Sequence, residues 1–359
     1  MITTFSNKRL SAIVTVLPTR EIDFADEMQN YGYSEMKMKK LKKIMGYDKR
    51  RAAMPGETVS GYAEYGIRHL VDQKVLRLED VGGIIVTTTS PDYFMPPVSN
   101  LIQGRLDIST DCVCIDISQA CSGYSVGLTY AMMTLEHLSD KKVLLVSGDM
   151  MTFKVGARDR ASRPIIGDAV TVSVVENATA AEPVYCALKN KGQDAMNIVI
   201  PAGGTAMPIT PETSVETQDA DGNWRSPEQF FMEGDEVFNF AINETPAMVG
   251  ELLQTAGKTV GDIDYFVCHQ PNPFMLKKMA EKIGVDQERL PNDIVPKYGN
   301  SNSATIPVTF CEHYNEMYAG RDVLQLCLAS FGAGLSLGAV VMQVPRLDYC
   351  SIINYPHQG

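Results

Sequence analysis

Cys114-Ile-Asp-Ile-Ser-Gln-Ala-Cys-Ser-Gly-Tyr124 begins as an apolar strand over 114–117, breaks at Gln119, and gives way to a helical pattern from Val126 to Leu138. A strand that stops where a helix starts is the joint of an α/β unit, and the crevice outside the carboxyl ends of such strands is where ligands bind. Cys121 stands at this joint. Unpaired N–H groups and the dipole at a helix start favour thiolate over thiol, which makes a cysteine a nucleophile. The alternative, a small buried hydrophobe, describes most free cysteines.

The second half of the chain repeats this logic. Ile263-Asp-Tyr-Phe-Val-Cys268 reads as a strand that delivers His269, after which Pro271 and Pro273 open a helix over 274–283. Three further apolar runs, 81–87, 142–147 and 322–328, read as buried strands, with helical periodicity between them, as over 247–256. The alternation predicts largely parallel sheets covered on both faces. Pro201 to Glu233 is polar and turn-rich, and is expected to form an ordered excursion near an entrance.

With 359 residues, 45% hydrophobic and 21% charged, the chain has the composition of a folded enzyme rather than a disordered segment. A net charge of −11 argues against general binding to nucleic acid or to anionic membrane. The first residues lack the apolar core of a signal peptide, and no apolar run reaches the roughly 18 residues of a membrane span, so the expectation is no membrane insertion and a cytoplasmic location. Eight cysteines lie scattered through apolar runs with no C-x-x-C pair. No metal is expected, since Cys268 and His269 are adjacent and offer no four-ligand spacing.

Three other places bear on chemistry. His269 sits at a strand end rather than on a helix face, which turns a histidine toward a site. Asn300 lies in Lys297-Tyr-Gly-Asn-Ser-Asn-Ser-Ala304, a turn-rich stretch before a helical segment at 308–317, and on its own it reads equally as a turn residue. Gly332-Ala-Gly-Leu-Ser-Leu-Gly338 misses the nucleotide-loop spacing and leads into a strand over 335–344, so it is expected to be a tight β turn that brings backbone N–H groups close to a substrate.

Together these segments resemble the β-ketoacyl synthase III branch of the thiolase superfamily over essentially the whole chain. The resemblance is carried by the stretch from Asp116 to Tyr124, His269-Gln-Pro-Asn272, Tyr298-Gly-Asn-Ser-Asn-Ser-Ala304 and the stretch from Ser330 to Gly338, with Thr87-Thr-Thr-Ser90 and Glu233 to Ala241 as further landmarks. It implies an α/β thiolase-like fold of two similar halves, 1–180 with the nucleophile and 181–359 with the His and Asn, in a five-layer αβαβα arrangement. It implies that Cys121 takes an acyl group from coenzyme A or phosphopantetheine thioesters. It further implies that His269 and Asn300 hold the carbonyl of a malonyl thioester during decarboxylative condensation, and that the backbone N–H groups of Cys121 and Ala333 form an oxyanion site. No permanently bound cofactor is implied. Acyl-CoA and an acyl carrier protein are the implied partners, and the implied assembly is a homodimer in which Met95 reaches the partner's acyl pocket.

Several positions depart from the family's pattern. The early helix that commonly carries Trp and Arg for the adenine of coenzyme A reads Lys39-Lys-Leu-Lys-Lys-Ile-Met45, and the single tryptophan is Trp224. Phe274 replaces an Arg of the carrier-docking helix, while Lys277, Lys278 and Lys282 offer a basic face for an acidic carrier or, equally, a solvated surface. Met95 stands where the family often has Phe, which points to longer or branched acyl chains. A papain-like hydrolase shares the order Cys, His, Asn but not its local signature. A non-catalytic partner subunit typically loses the nucleophile, which is retained here. Transfer of the acyl group to an oxygen, nitrogen or other carbon acceptor remains the alternative within this fold.

Overall fold

Strands such as Ala169–Asn177 and Lys142–Asp149 are Val- and Leu-rich and buried on both faces, so both faces are covered. The computed structural model, which describes residues 1–179 and 181–356, covers them with helices. One sheet has six strands in the order Tyr349–Asn354, Lys8–Leu17, Ala169–Asn177, Lys142–Asp149, Val81–Thr87 and Val113–Ile117. A second has five, in the order Ile2–Phe5, Val184–Asn190, Ser336–Pro345, Val323–Gly332 and Tyr265–Cys268.

Helices Gly123–Leu135 and Thr305–Met317 lie between the two sheets and touch strands of both. Val59–Asp72 and Val98–Arg105 cover the outer face of the first sheet, and Gly234–Thr255 packs on the outer face of the second with Pro273–Ile283 against it. This is the expected five-layer αβαβα arrangement. The Gly123–Leu135 helix is apolar nearly all round, as a helix with a sheet on each side must be. Gly127 lets it approach closely, since an added Cβ would stand 2.5 Å from Leu145 Cδ1 and 2.7 Å from Thr87 Cγ2.

The sheets are not largely parallel. The first has three parallel and two antiparallel pairings, and the second has one parallel and three antiparallel. The cause lies in the connections. A parallel pair needs a long crossover. Val323–Gly332 and Ser336–Pro345 are joined instead by a tight turn, and Lys142–Asp149 leads to Ala169–Asn177 with no α-helix between.

The chain ends also cross over. Ile2–Phe5 pairs with Val184–Asn190 in the second sheet, and Tyr349–Asn354 pairs with Lys8–Leu17 in the first. The boundary expected at residue 180 falls outside the described residues, as does the end of the second half at 357–359.

The excursion from Pro201 to Glu233 is ordered by two small strand pairs, Thr217–Gln218 with Trp224–Arg225 and Phe231–Met232 with Ile198–Val199. The buried Asp159 anchors it through Arg225 at 2.7 Å, and the Arg158 guanidinium lies over the Trp224 ring. Among the described residues no helix is long and apolar enough to cross a membrane.

Candidate active site

Cys121 follows the strand Val113–Ile117 and immediately precedes Ser122, the cap of the Gly123–Leu135 helix. It keeps partial exposure, and it lines a cavity of 370 Å³. The turn after Val323–Gly332 closes on it from the second sheet. An added Cβ on Gly332 would stand 2.8 Å from Cys121 Cβ and 3.0 Å from its N, an approach that only glycine permits.

Ser336 ties this turn to the nucleophile's loop. Its Oγ lies 2.7 Å from the Ala333 carbonyl, 2.6 Å from Ser122 Oγ and 2.9 Å from Gln119 Oε1. Ala333 lines the cavity and is not among the residues with positive φ, so the turn accepts its Cβ without backbone strain. Neither the Cys121 nor the Ala333 N–H donates to a backbone carbonyl among the described residues.

Burial opposes the thiolate that the helix start favours. Burial pushes the Cys121 thiol up to about 12, and the negative charge of Asp149 adds to the rise. Desolvation penalises the charged form more than the helix terminus favours it. The side chain is a thiol whose Sγ donates to Asn302 Oδ1 at 3.4 Å.

His269 arrives from the end of Tyr265–Cys268, its N–H donating to the Ala329 carbonyl at 2.8 Å and its ring set edge-on to Phe331. Burial lowers its pKa to about 3, so the ring is neutral. Nδ1 lies 2.7 Å from Thr305 Oγ1, and that hydroxyl donates to the Asn302 carbonyl at 2.9 Å. In this arrangement Nδ1 carries the ring proton and Nε2 is a free lone pair. In the other neutral tautomer, with the ring proton on Nε2, the same hydroxyl can turn and donate to Nδ1.

Asn300 is pinned by its backbone: its N–H donates to the Ile165 carbonyl at 2.7 Å, and its carbonyl accepts from Gly167 N–H at 3.0 Å. Its side-chain Oδ1 accepts from Asn302 N–H at 3.0 Å. The amide is thereby oriented, and Nδ2 has no protein acceptor among the described residues.

Cys121, His269, Asn300 and Ala333, far apart in sequence, thus line one cavity. The remaining wall is mostly apolar, with Ile165, Ile166, Ile198, Ile200, Phe230, Met232 and Val237, and it includes no Asp, Glu, Lys or Arg. Such a space suits an uncharged chain bearing a thioester, and the excursion and its flank supply part of the wall.

Other expected residues lie elsewhere. Met95 is 75% exposed and does not line the cavity of its own chain. Lys277, Lys278 and Lys282 lie on the outer helix Pro273–Ile283, and Lys278 is paired with Glu281 at 2.8 Å. The lysine-rich segment forms the helix Glu35–Met45, which packs on that same helix. Lys43, Ile44, Phe274 and Lys277 share a groove between them.

Asn302, Thr305 and Asp149 were not singled out by the sequence. Asn302 sits at φ 52°, and a second asparagine in a serine-rich turn was the available signal, because asparagine tolerates that conformation. Thr305 gave none, since a threonine near a helix start reads as a cap. Asp149 explains the Thr87-Thr-Thr-Ser90 landmark: Thr88, Thr89 and Ser90 donate to its Oδ1 at 2.6–3.1 Å.

Known proteins share the sequence and the fold of this chain. A family model described as 3-oxoacyl-[acyl-carrier-protein (ACP)] synthase III matches residues 115–192, and one for the C-terminal part of that protein matches 253–344. A β-ketoacyl-[acyl-carrier-protein] synthase III of Symbiobacterium thermophilum is 30% identical over 302 residues, 84% of this chain and 88% of its own. One of Chlamydia caviae is 30% identical over 300 residues, 83% and 86% of the two chains. The crystal structure of a 3-oxoacyl-(acyl-carrier protein) synthase from Burkholderia xenovorans superposes with a TM-score of 0.90 at 27% identity, covering 99% of each chain.

Proposed function

Because this chain belongs to the β-ketoacyl-[acyl-carrier-protein] synthase III family and is an acyltransferase of the condensing type, we propose that Cys121, His269 and Asn300 are its catalytic residues. The observation that carries the assignment is their convergence, with the Ala333 turn, on one apolar cavity.

In the first half-reaction Cys121 Sγ attacks the carbonyl carbon of an acyl thioester, and the N–H groups of Cys121 and Ala333 stabilise the oxyanion. A separate thiolate–imidazolium pair is disfavoured in the empty site, since burial holds the thiol up and the imidazole down. The thiol proton therefore moves with the attack, by way of the Nε2 lone pair of His269, to the departing thiol. The new C–S bond is to Cys121, and the old one to the carrier sulfur breaks.

A malonyl thioester then enters. Between the half-reactions the neutral ring of His269 exchanges its proton with solvent, losing the one on Nδ1 and gaining one on Nε2. The Thr305 hydroxyl turns onto the vacated Nδ1 lone pair, and Nε2–H binds the thioester carbonyl together with Asn300 Nδ2. Loss of carbon dioxide leaves an enolate whose carbon attacks the acyl-Cys, releasing the Cys121 sulfur and giving a β-ketoacyl thioester.

Coenzyme A and carrier-borne phosphopantetheine are the proposed forms of the thioesters. Support for an acidic carrier comes from the helix Glu35–Met45, with five lysines against one glutamate, lying beside the three lysines of Pro273–Ile283 on a chain of net charge −11. Lys40, Lys43, Lys277 and Lys282 have no carboxylate partner among the described residues.

The two halves, 1–180 and 181–359, are read as thiolase-like units that have exchanged their terminal strands. A homodimer is supported by the edge strand Val113–Ile117, whose Val113 and Ile115 are exposed, and by the neighbouring exposed Phe94 and Met95. Met95 is then placed to cap the partner's acyl pocket. Free thiols throughout suit a cytoplasmic setting.

Carbon dioxide release from a malonyl thioester tests the second half-reaction. Wild type should release it, and His269→Ala and Asn300→Ala should each lose on the order of 10²-fold or more, the scale of a lost oxyanion donor. Full release by both variants would refute their roles.

A further inference from the structure

Asn302 is linked to each of the three reactive side chains. Its Oδ1 accepts from Cys121 Sγ at 3.4 Å, its backbone N–H donates to Asn300 Oδ1 at 3.0 Å, and its carbonyl accepts from the Thr305 hydroxyl at 2.9 Å. That hydroxyl oxygen lies 2.7 Å from His269 Nδ1. The three links leave from the side chain, the N–H and the C=O of one buried residue in the cavity wall.

The backbone at Asn302 is left-handed, φ 52°. This conformation is unfavourable for a residue with a Cβ, and asparagine accepts it better than most. It persists here because the cavity wall holds it from several sides.

We infer that Asn302 is a positioning residue, an inference that rests on Cys121 being the nucleophile: its carboxamide oxygen holds the thiol proton, and its backbone sets the Asn300 amide and the His269 ring in register with that thiol. A hydrogen bond accepted from S–H favours the neutral form of the sulfur. Removing the acceptor frees the thiolate, and replacing the amide by a carboxylate opposes it. The titratable groups that share the cavity or act on the sulfur are His269 and Asp149, and the wall holds no other charge. Neither group changes in the variants below.

The test is the rate at which iodoacetamide alkylates Cys121 at pH 8, followed by peptide mass, in wild type, Asn302→Gly and Asn302→Asp. Glycine and aspartate both accept a left-handed backbone, so the turn is preserved. Asn302→Gly should react roughly threefold or more faster and Asn302→Asp roughly threefold or more slower, given that one pKa unit is about tenfold in thiolate and part is offset by nucleophilicity. Rates within twofold of wild type in both variants, or shifts in the same direction, overturn the inference. Should Asn302→Gly not fold, slower alkylation of Asn302→Asp still supports it, and an unchanged or faster rate overturns it. No thioester takes part in this measurement. A shifted alkylation rate in a protein that never forms an acyl adduct would therefore overturn the nucleophile assignment alone, and a normal adduct with unshifted rates would overturn the positioning role alone.

Discussion

His269 shows how far one buried side chain departs from its solution behaviour. Its pKa falls from 6.5 to about 3 through desolvation. As pH drops below 6.5 the unfolded chain takes up a proton there that the folded chain refuses, so stability contributed by the neutral ring is lost as pH falls from about 6.5 toward 3. The pH slope of wild-type stability should exceed that of His269→Gln by about half a proton at pH 6.5, rising to nearly one at pH 5, roughly 1.4 kcal/mol per pH unit at most. Equal slopes would contradict a buried neutral imidazole. That His269 would stand at a crevice was legible from its place after Cys268 at a strand end, and it lines the cavity. The protonation of Cys121 was not: the helix start argued for a thiolate, and only the three-dimensional burial, with Asp149 nearby, reverses the sign. Asn302 and Thr305 were missed for a related reason, since hydrogen bonds to a catalytic ring leave no mark in local sequence.

At the scale of elements, the hairpin of Val323–Gly332 and Ser336–Pro345 carries the turn proposed to hold the oxyanion up to Cys121 across the interface between the sheets. Gly332→Ala would put a methyl group 2.8 Å from Cys121 Cβ, so the turn must move while the strands, paired over ten residues, keep their register. Acyl transfer should fall by about 10²-fold, the cost of misplacing one oxyanion donor, with little change in thermal stability. Undiminished acylation would place the oxyanion elsewhere. Six strands were readable as apolar runs, Val81–Thr87 to the residue, whereas Lys8–Leu17, Ala169–Asn177 and Val184–Asn190 were not read. Helix starts were not. Gly123–Leu135 and Thr305–Met317 each begin three residues before their apolar period, in Gly, Ser, Tyr and Thr positions that look like turn chemistry. Sheet direction failed for the same kind of reason, because an antiparallel return needs only a turn.

For the whole molecule, the exposed edge strand and its apolar neighbours predict a continuous interface between two copies. Ile115→Lys should shift the mass found by light scattering from dimer to monomer, and a dimer left intact would place the interface elsewhere. The five layers were legible through the resemblance, whereas the exchange of terminal strands between halves was not, since short end strands carry little pattern. All of these readings converge on the sulfur of Cys121, and intact mass after incubation with a panel of acyl-CoA and acyl-carrier thioesters tests it most directly. The account predicts that wild type gains the mass of one acyl group and that Cys121→Ala gains none. An unchanged wild-type mass with every thioester, or an adduct that persists in Cys121→Ala, would contradict it.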